Sequence, residues 1–158
     1  MILPTPQTAY MDSSALVKRY MAEAGTAWVQ AWCNDPNHAV TVAEIGLVEV
    51  AATFAGKLRG GFIASKEYQD ARNDLLIDAQ SEYALVAVNR SLVDEAIELT
   101  ARHRLRGYDA VHLACALFAN RTLIEQGLPP LVFVCADNAL LTAASAEGLA
   151  TDDPNNPL

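Results

Sequence analysis

A chain of 158 residues is one ordinary domain, long enough to bury roughly 70% of its unfolded surface without disulfide staples. Its 52% hydrophobic content, rich in alanine, excludes a disordered chain and favours helices packed closely on something. The formal net charge of −8 argues against a non-specific nucleic-acid binder, which is usually basic, unless the excess acid has a local task such as holding cations.

Met1-Ile2-Leu3-Pro4 has no basic n-region and no long apolar core, so no signal peptide is expected. Thr8 to Met11 reads as a short strand ending at Asp12, and Ser14 to Glu23 as a helix stopped near Gly25. Thr26 to Cys33 is a second short helix, closed by the turn cluster Asn34-Asp35-Pro36-Asn37. Trp28 and Trp32, at i and i+4, share one face, which is core or partner surface. His38 to Val42 is β-branched and short, a strand. Ala43 to Leu58 is a helix with Ile45, Val48, Ala52 and Ala55 on one face and Glu49 beside it. Ser65 to about Ser81 is a helix, Leu85 to Val88 a strand, and Ser91 caps a helix to about Leu105. Asp109 to about Ala119 is an apolar helix that Asn120 to Gly127 extends by a turn or two. Leu131 to Cys135 is a strand, Asn138 to Glu147 a helix stopped by Gly148, and Leu149 to Thr151 a short edge strand. Residues 152–158 carry two prolines and read as a loose tail after a single domain over 1–151.

Alternating strands and helices predict an α/β fold, and apolar runs such as Leu131 to Val134 suit parallel strands covered on both faces. In such sheets ligands bind beyond the carboxyl ends of the strands. Asp12 and Asp137 fall at that edge, and Asp109 opens a helix that begins there. Each is also a candidate helix cap, since aspartate is favoured at that position. Glu49 lies in mid-helix and cannot cap. It is either a solvated residue at the rim of the apolar face or a carboxylate with a partner. Carboxylates that converge at one edge raise one another's pKa, and a cation relieves the conflict. A set of oxygens without His or Cys points to Mg²⁺ or Mn²⁺ rather than zinc. Four such acids should strain the metal-free fold, so that Asp137→Asn stabilises it.

The three cysteines, Cys33, Cys115 and Cys135, have neither disulfide nor zinc spacing, and Cys115 and Cys135 sit in apolar runs. No apolar run spans a membrane, and a reducing cytoplasm is the expected setting. His112, one turn after Asp109, reads as a proton shuttle, a ligand or, more plainly, a buried helix-facing histidine. Ser13 or Ser14 is placed to cap a helix or to hydrogen-bond a carboxylate, and Asn138 to reach a metal through water. Lys18, Arg19, Arg102, Arg104 and Arg106 either steer phosphates toward the acids or lie on solvated faces.

Tyr10-Met11-Asp12-Ser13-Ser14-Ala15-Leu16-Val17-Lys18-Arg19-Tyr20 resembles the opening of PIN-domain proteins, particularly the VapC-type toxins of prokaryotic toxin–antitoxin pairs. Leu47 to Ala52, Leu105 to Ala114 and Val134 to Leu141 resemble their second, third and fourth segments, in family order. Ala143-Ala144 and Glu147-Gly148-Leu149 continue the last. The resemblance implies a PIN-like three-layer α/β/α fold with a mostly parallel sheet. It implies a metal-dependent endoribonuclease whose acids are Asp12, Glu49, Asp109 and Asp137, with a tRNA or rRNA as substrate and 5′-phosphate and 3′-hydroxyl ends as products. It implies a homodimer and a small antitoxin that covers the site. A PIN ribonuclease outside any toxin system and an inactive PIN binding module are the alternatives. A receiver domain would need an acidic pair and a later lysine, and a haloacid-dehalogenase-like phosphatase an Asp-x-Asp; neither is present. Two positions depart from the family: Cys135 replaces a usual Thr or Ser, and Ala43 or Gly46 stands where a small hydroxyl residue is common.

Overall fold

The computed structural model describes Met1, Ile2 and residues 4–158; Leu3 lies outside the described residues. The described residues form a five-stranded, all-parallel sheet between two layers of helices. The elements run β1 (Gln7–Met11), α1 (Ser13–Tyr20), α2 (Thr26–Asn34), β2 (His38–Ala43), α3 (Glu44–Arg59), α4 (Ser65–Ser81), β3 (Tyr83–Val86), α5 (Arg90–Arg102), α6 (Gly107–Glu125), β4 (Val132–Val134), α7 (Asn138–Ala146) and β5 (Ala150–Asp152). The strand order is β3-β2-β1-β4-β5, so β1 is central. Its register pairs Ala9 with Val40 on one side and with Val132 on the other.

Because successive strand residues point to opposite faces, β1 feeds two cores. Ala9 and Met11 join Val42, Val134, Leu16, Val29 and Phe54 under α1 to α4. Tyr10 joins Phe133, Leu113, Leu99 and Leu140 under α5, α6 and α7. The three-layer architecture expected above is the one observed. Among the described residues no helix is long and apolar enough to cross a membrane.

Several local expectations shift. Helix α1 ends at Tyr20 rather than near Glu23, because the buried Lys18 ammonium bonds Glu23 Oε1 (2.8 Å) and the Ala24 carbonyl (2.7 Å) in the turn that follows. The cap of α5 is Asn89, whose side chain accepts from the Leu92 amide at 2.9 Å; Ser91 lies inside the helix. The buried stripe of α3 is Gly46, Val50 and Phe54, whereas Val48 is 70% exposed. That helix is apolar on several faces, so spacing alone leaves its inward face open. Residues 120–125 continue α6 without a break. The tail is anchored where it begins: Asp152 closes β5, and the buried Pro154 abuts Gly25, whose positive φ of 88° and lack of a Cβ permit the contact.

Candidate active site

The chain leaves β1 toward β2 on one side of the sheet, and β4 docks on the other. The carboxyl ends of β1 and β4 therefore flank the switch point where open α/β sheets bind ligands. Asp12 directly follows β1, and Asp137 opens α7 after β4. Glu49 stands in the second turn of α3 and Asp109 in the first turn of α6. All four line one cleft of about 350 Å³, with Ser13, Ser14, Arg106, Gly107 and Tyr108.

Asp12 and Asp137 are both helix caps and cleft residues, so the two readings of each hold together. Asp12 Oδ1 accepts from the Ala15 amide (3.0 Å) and from Ser14 Oγ (2.7 Å). Asp137 Oδ1 accepts from the Leu140 amide at 3.0 Å, and its Oδ2 lies 3.9 Å from Arg106 Nη2. In each case a single oxygen serves the helix. Ser14 ties the two together, because its Oγ also accepts from the Ala136 amide at 3.1 Å. The sulfur of Cys135 takes over the turn beside it. It accepts from the Asp137 amide at 3.1 Å, and its thiol donates to the Asp137 carbonyl at 3.6 Å. Burial pushes that thiol well above its usual range and keeps it protonated.

Asp12 is only 3% exposed, and burial raises its carboxyl above the usual range, opposed by the Ser14 and Ala15 hydrogen bonds. Asp109 is not a cap: Arg106 holds that position, and its Nε donates to Asp109 Oδ2 at 3.2 Å. Glu49 is half-buried and has a partner: His112 Nε2 lies 2.5 Å from Glu49 Oε1. The other ring nitrogen, Nδ1, meets the Tyr10 hydroxyl at 2.8 Å. His112 is thus buried, as its plainer reading has it, and it also touches a cleft acid.

The donor chemistry of the cleft suits a hard divalent cation, being carboxylate oxygen throughout. Arg106 already brings a positive charge against Asp109 and Asp137, which is the sign the cleft requires. As the side chains stand, no group of three or more His, Cys, Asp or Glu among the described residues is drawn together as a finished ligand shell. An ion would therefore gather the acids from their present partners.

Of the basic residues weighed as phosphate guides, only Arg106 lines the cleft. Lys18 is buried against Glu23, and Arg19 binds Tyr83, Asp78 and Glu82 at the far side of α1. Arg102 pairs with Glu147. Trp28 and Trp32 stack with centroids 5.6 Å apart, and Trp32 stacks on His38, which commits the pair to packing rather than bases. The sequence reading missed Tyr10 as part of the site. Its signal was a tyrosine in a strand buried on both faces, whose hydroxyl needs a partner.

Comparison with known proteins follows from this geometry. The family model for the PIN domain matches residues 9–127. Ribonuclease VapC45 of Mycobacterium tuberculosis (strain CDC 1551 / Oshkosh) is 34% identical over 140 residues, covering 88% of this chain and 90% of that one. Among solved structures, M. tuberculosis VapC20, a Sarcin-Ricin loop cleaving toxin, superposes with a TM-score of 0.59 at 17% identity, covering 90% of this chain and 96% of that one. A toxin–antitoxin complex from Klebsiella pneumoniae gives a TM-score of 0.54 at 15% identity, covering 94% and 98%.

Proposed function

The chain belongs to the PIN-domain family, and from that premise we propose that it is a Mg²⁺- or Mn²⁺-dependent endoribonuclease, the toxin of a toxin–antitoxin pair. The observation that carries the reading is the convergence of Asp12, Glu49, Asp109 and Asp137, from four separate segments, on one cleft at the switch point of the sheet. Asp12, Glu49, Asp109 and Asp137 would hold a divalent cation there, which would supply Lewis acidity for phosphodiester hydrolysis.

The chain's own residues hold the geometry. Asp12 and Asp137 would offer the carboxylate oxygens that their helices do not use, and Ser14 links the two loops by bonding the Asp12 carboxylate and the Ala136 amide. Glu49 and Asp109 close the cleft from α3 and α6. Arg106, once released by a cation, is free to meet a phosphate. The name of the 34%-identical relative supports a ribonuclease, and the toxin–antitoxin neighbour supports an antitoxin partner, which we propose covers the site. We further propose a homodimer, as closed dimers are the commonest assembly, acting in the cytoplasm on a tRNA or rRNA.

The test is incubation of the purified chain with total tRNA and rRNA in Mg²⁺, Mn²⁺ or EDTA, followed by sequencing of the new 5′ ends. Discrete cuts with 5′-phosphate ends that need metal and vanish in Asp12→Asn and Asp109→Asn are expected. Full cleavage by rigorously metal-free protein, or undiminished cleavage by both variants, overturns the reading. Light scattering that shows only monomer at micromolar concentration overturns the dimer.

A further inference from the structure

We propose that His112 is a positioning residue for Glu49, locked for that role by Tyr10. Three elements meet here: Tyr10 from β1, Glu49 from α3 and His112 from α6. The hydroxyl of Tyr10 lies 2.8 Å from His112 Nδ1, and His112 Nε2 lies 2.5 Å from Glu49 Oε1. A carboxylate only accepts, so the hydrogen of the imidazole belongs on Nε2. Nδ1 is then the acceptor for the Tyr10 hydroxyl. The chain Tyr10 O–H to His112 Nδ1, His112 Nε2–H to Glu49 runs in one direction with every group satisfied.

Its setting makes the arrangement rigid. Tyr10 and His112 are 0% and 1% exposed, and Tyr10 stacks on Phe133 at a centroid distance of 5.5 Å and an interplanar angle of 6°. A Cβ at Gly46 would sit 3.2 Å from His112 Cε1, so the bare glycine one turn before Glu49 gives the ring its space. A second-sphere hydrogen bond of this kind fixes the direction of a ligating side chain before an ion arrives. A long glutamate on a helix has rotamer freedom to lose, and His112 removes it in advance. The role rests on the metal-dependent reading above. It assigns His112 neither to the ligand shell nor to proton transfer.

The test is Mn²⁺ titration by calorimetry on wild type, His112→Leu, His112→Gln, Glu49→Gln and the double variant His112→Leu/Glu49→Gln, with melting curves for each. Nitrogen-15 spectra of the imidazole are recorded for wild type, Tyr10→Phe and Glu49→Gln. His112→Leu should bind Mn²⁺ about tenfold more weakly. His112→Gln, which keeps an N–H near the Nε2 position, should recover most of that loss. Adding His112→Leu to Glu49→Gln should cost nothing further. The wild-type ring should be the Nε2–H tautomer. Tyr10→Phe should keep that tautomer, because Glu49 still accepts, but shift the Nδ1 resonance as its donor is lost; Glu49→Gln, which can donate as well as accept, should admit a mixture. Wild-type affinity in a folded His112→Leu protein, or an equal loss in the Glu49→Gln background, overturns the role. If His112→Leu does not fold, His112→Gln and Tyr10→Phe decide: an Nδ1–H tautomer in wild type, no recovery of Mn²⁺ affinity by His112→Gln, or an Nδ1 resonance unmoved by Tyr10→Phe overturns it. If wild type binds no Mn²⁺, the metal reading falls by itself, and the same spectra still judge the link to Glu49.

Discussion

Asp12 carries the electrostatic burden of the cleft. Asp137 has a side chain 39% exposed, whereas Asp12 is 3% exposed and its carboxyl is raised by burial. The strain expected at Asp137 therefore belongs at Asp12. A carboxyl whose folded pKa exceeds its unfolded one binds more protons in the native state. That favours the fold below the unfolded value of about 3.9, and the advantage is lost as pH rises through the raised value. Metal-free protein at pH 7 therefore sits on the unfavourable side. Asparagine caps a helix about as well as aspartate, so Asp12→Asn should melt a few degrees above wild type in EDTA at pH 7, the gap closing toward pH 4. It should also lose cleavage altogether. A wild type more stable than the variant at pH 7 would show that Asp12 is compensated. Arg106 supplies a second expectation at this scale. It competes with a cation for Asp109 and Asp137 from an 82%-exposed position, where such pairs are weak. Arg106→Gln should tighten Mn²⁺ binding by no more than about fivefold while weakening RNA binding. Looser metal binding would make the guanidinium a partner of the ion rather than its rival. The four acids could be singled out in the sequence because Asp12 and Asp137 adjoin strand ends, Glu49 interrupts an apolar helix and Asp109 opens one. Tyr10 and His112 could not be read as a pair, since only the folded sheet brings them together.

At the scale of elements, all five strands and seven helices have a counterpart in the chain-order reading, because caps, glycines and β-branched runs mark them locally. What escaped were features decided by tertiary contact. Helix α3 presents apolar residues to several sides, so its inward stripe of Gly46, Val50 and Phe54 emerged only on packing. Strand β3 begins at Tyr83, two residues ahead of the apolar run that marks it, where the Tyr83 hydroxyl meets Arg19 at 2.8 Å. Helices α5 and α6 form the most extensive pairing of helices, and Leu99 of α5 is fully buried in the core they share and does not line the acidic cleft. Leu99→Ala should lower stability by about 2–5 kcal/mol through lost burial and a residual cavity. Its cleavage rate, measured well below the melting point, should stay near wild type. A stability loss under about 1 kcal/mol would mean that the surrounding helices collapse into the space.

The molecule as a whole is acidic, and its proposed substrate, RNA, is a polyanion. A basic nuclease loses affinity steeply with salt because it releases counterions from phosphates. With a net charge of −8, this chain should behave otherwise. At fixed Mg²⁺, the KM for RNA should change little, or fall, between about 50 and 200 mM KCl, as screening relieves long-range repulsion. A steep rise in KM would reveal a local basic groove that outweighs the net charge. The central place of β1 has a further consequence during synthesis. Strand β1 is made before either of its neighbours: Ala9 waits for Val132 to complete its pairing, and Asp12 waits for Asp137. A nascent chain lacks one wall of its cleft until residues 132–137 have been made. On the proposed reading, the edge that would cut RNA is thus absent while residues 7–131 emerge from the ribosome, itself largely RNA.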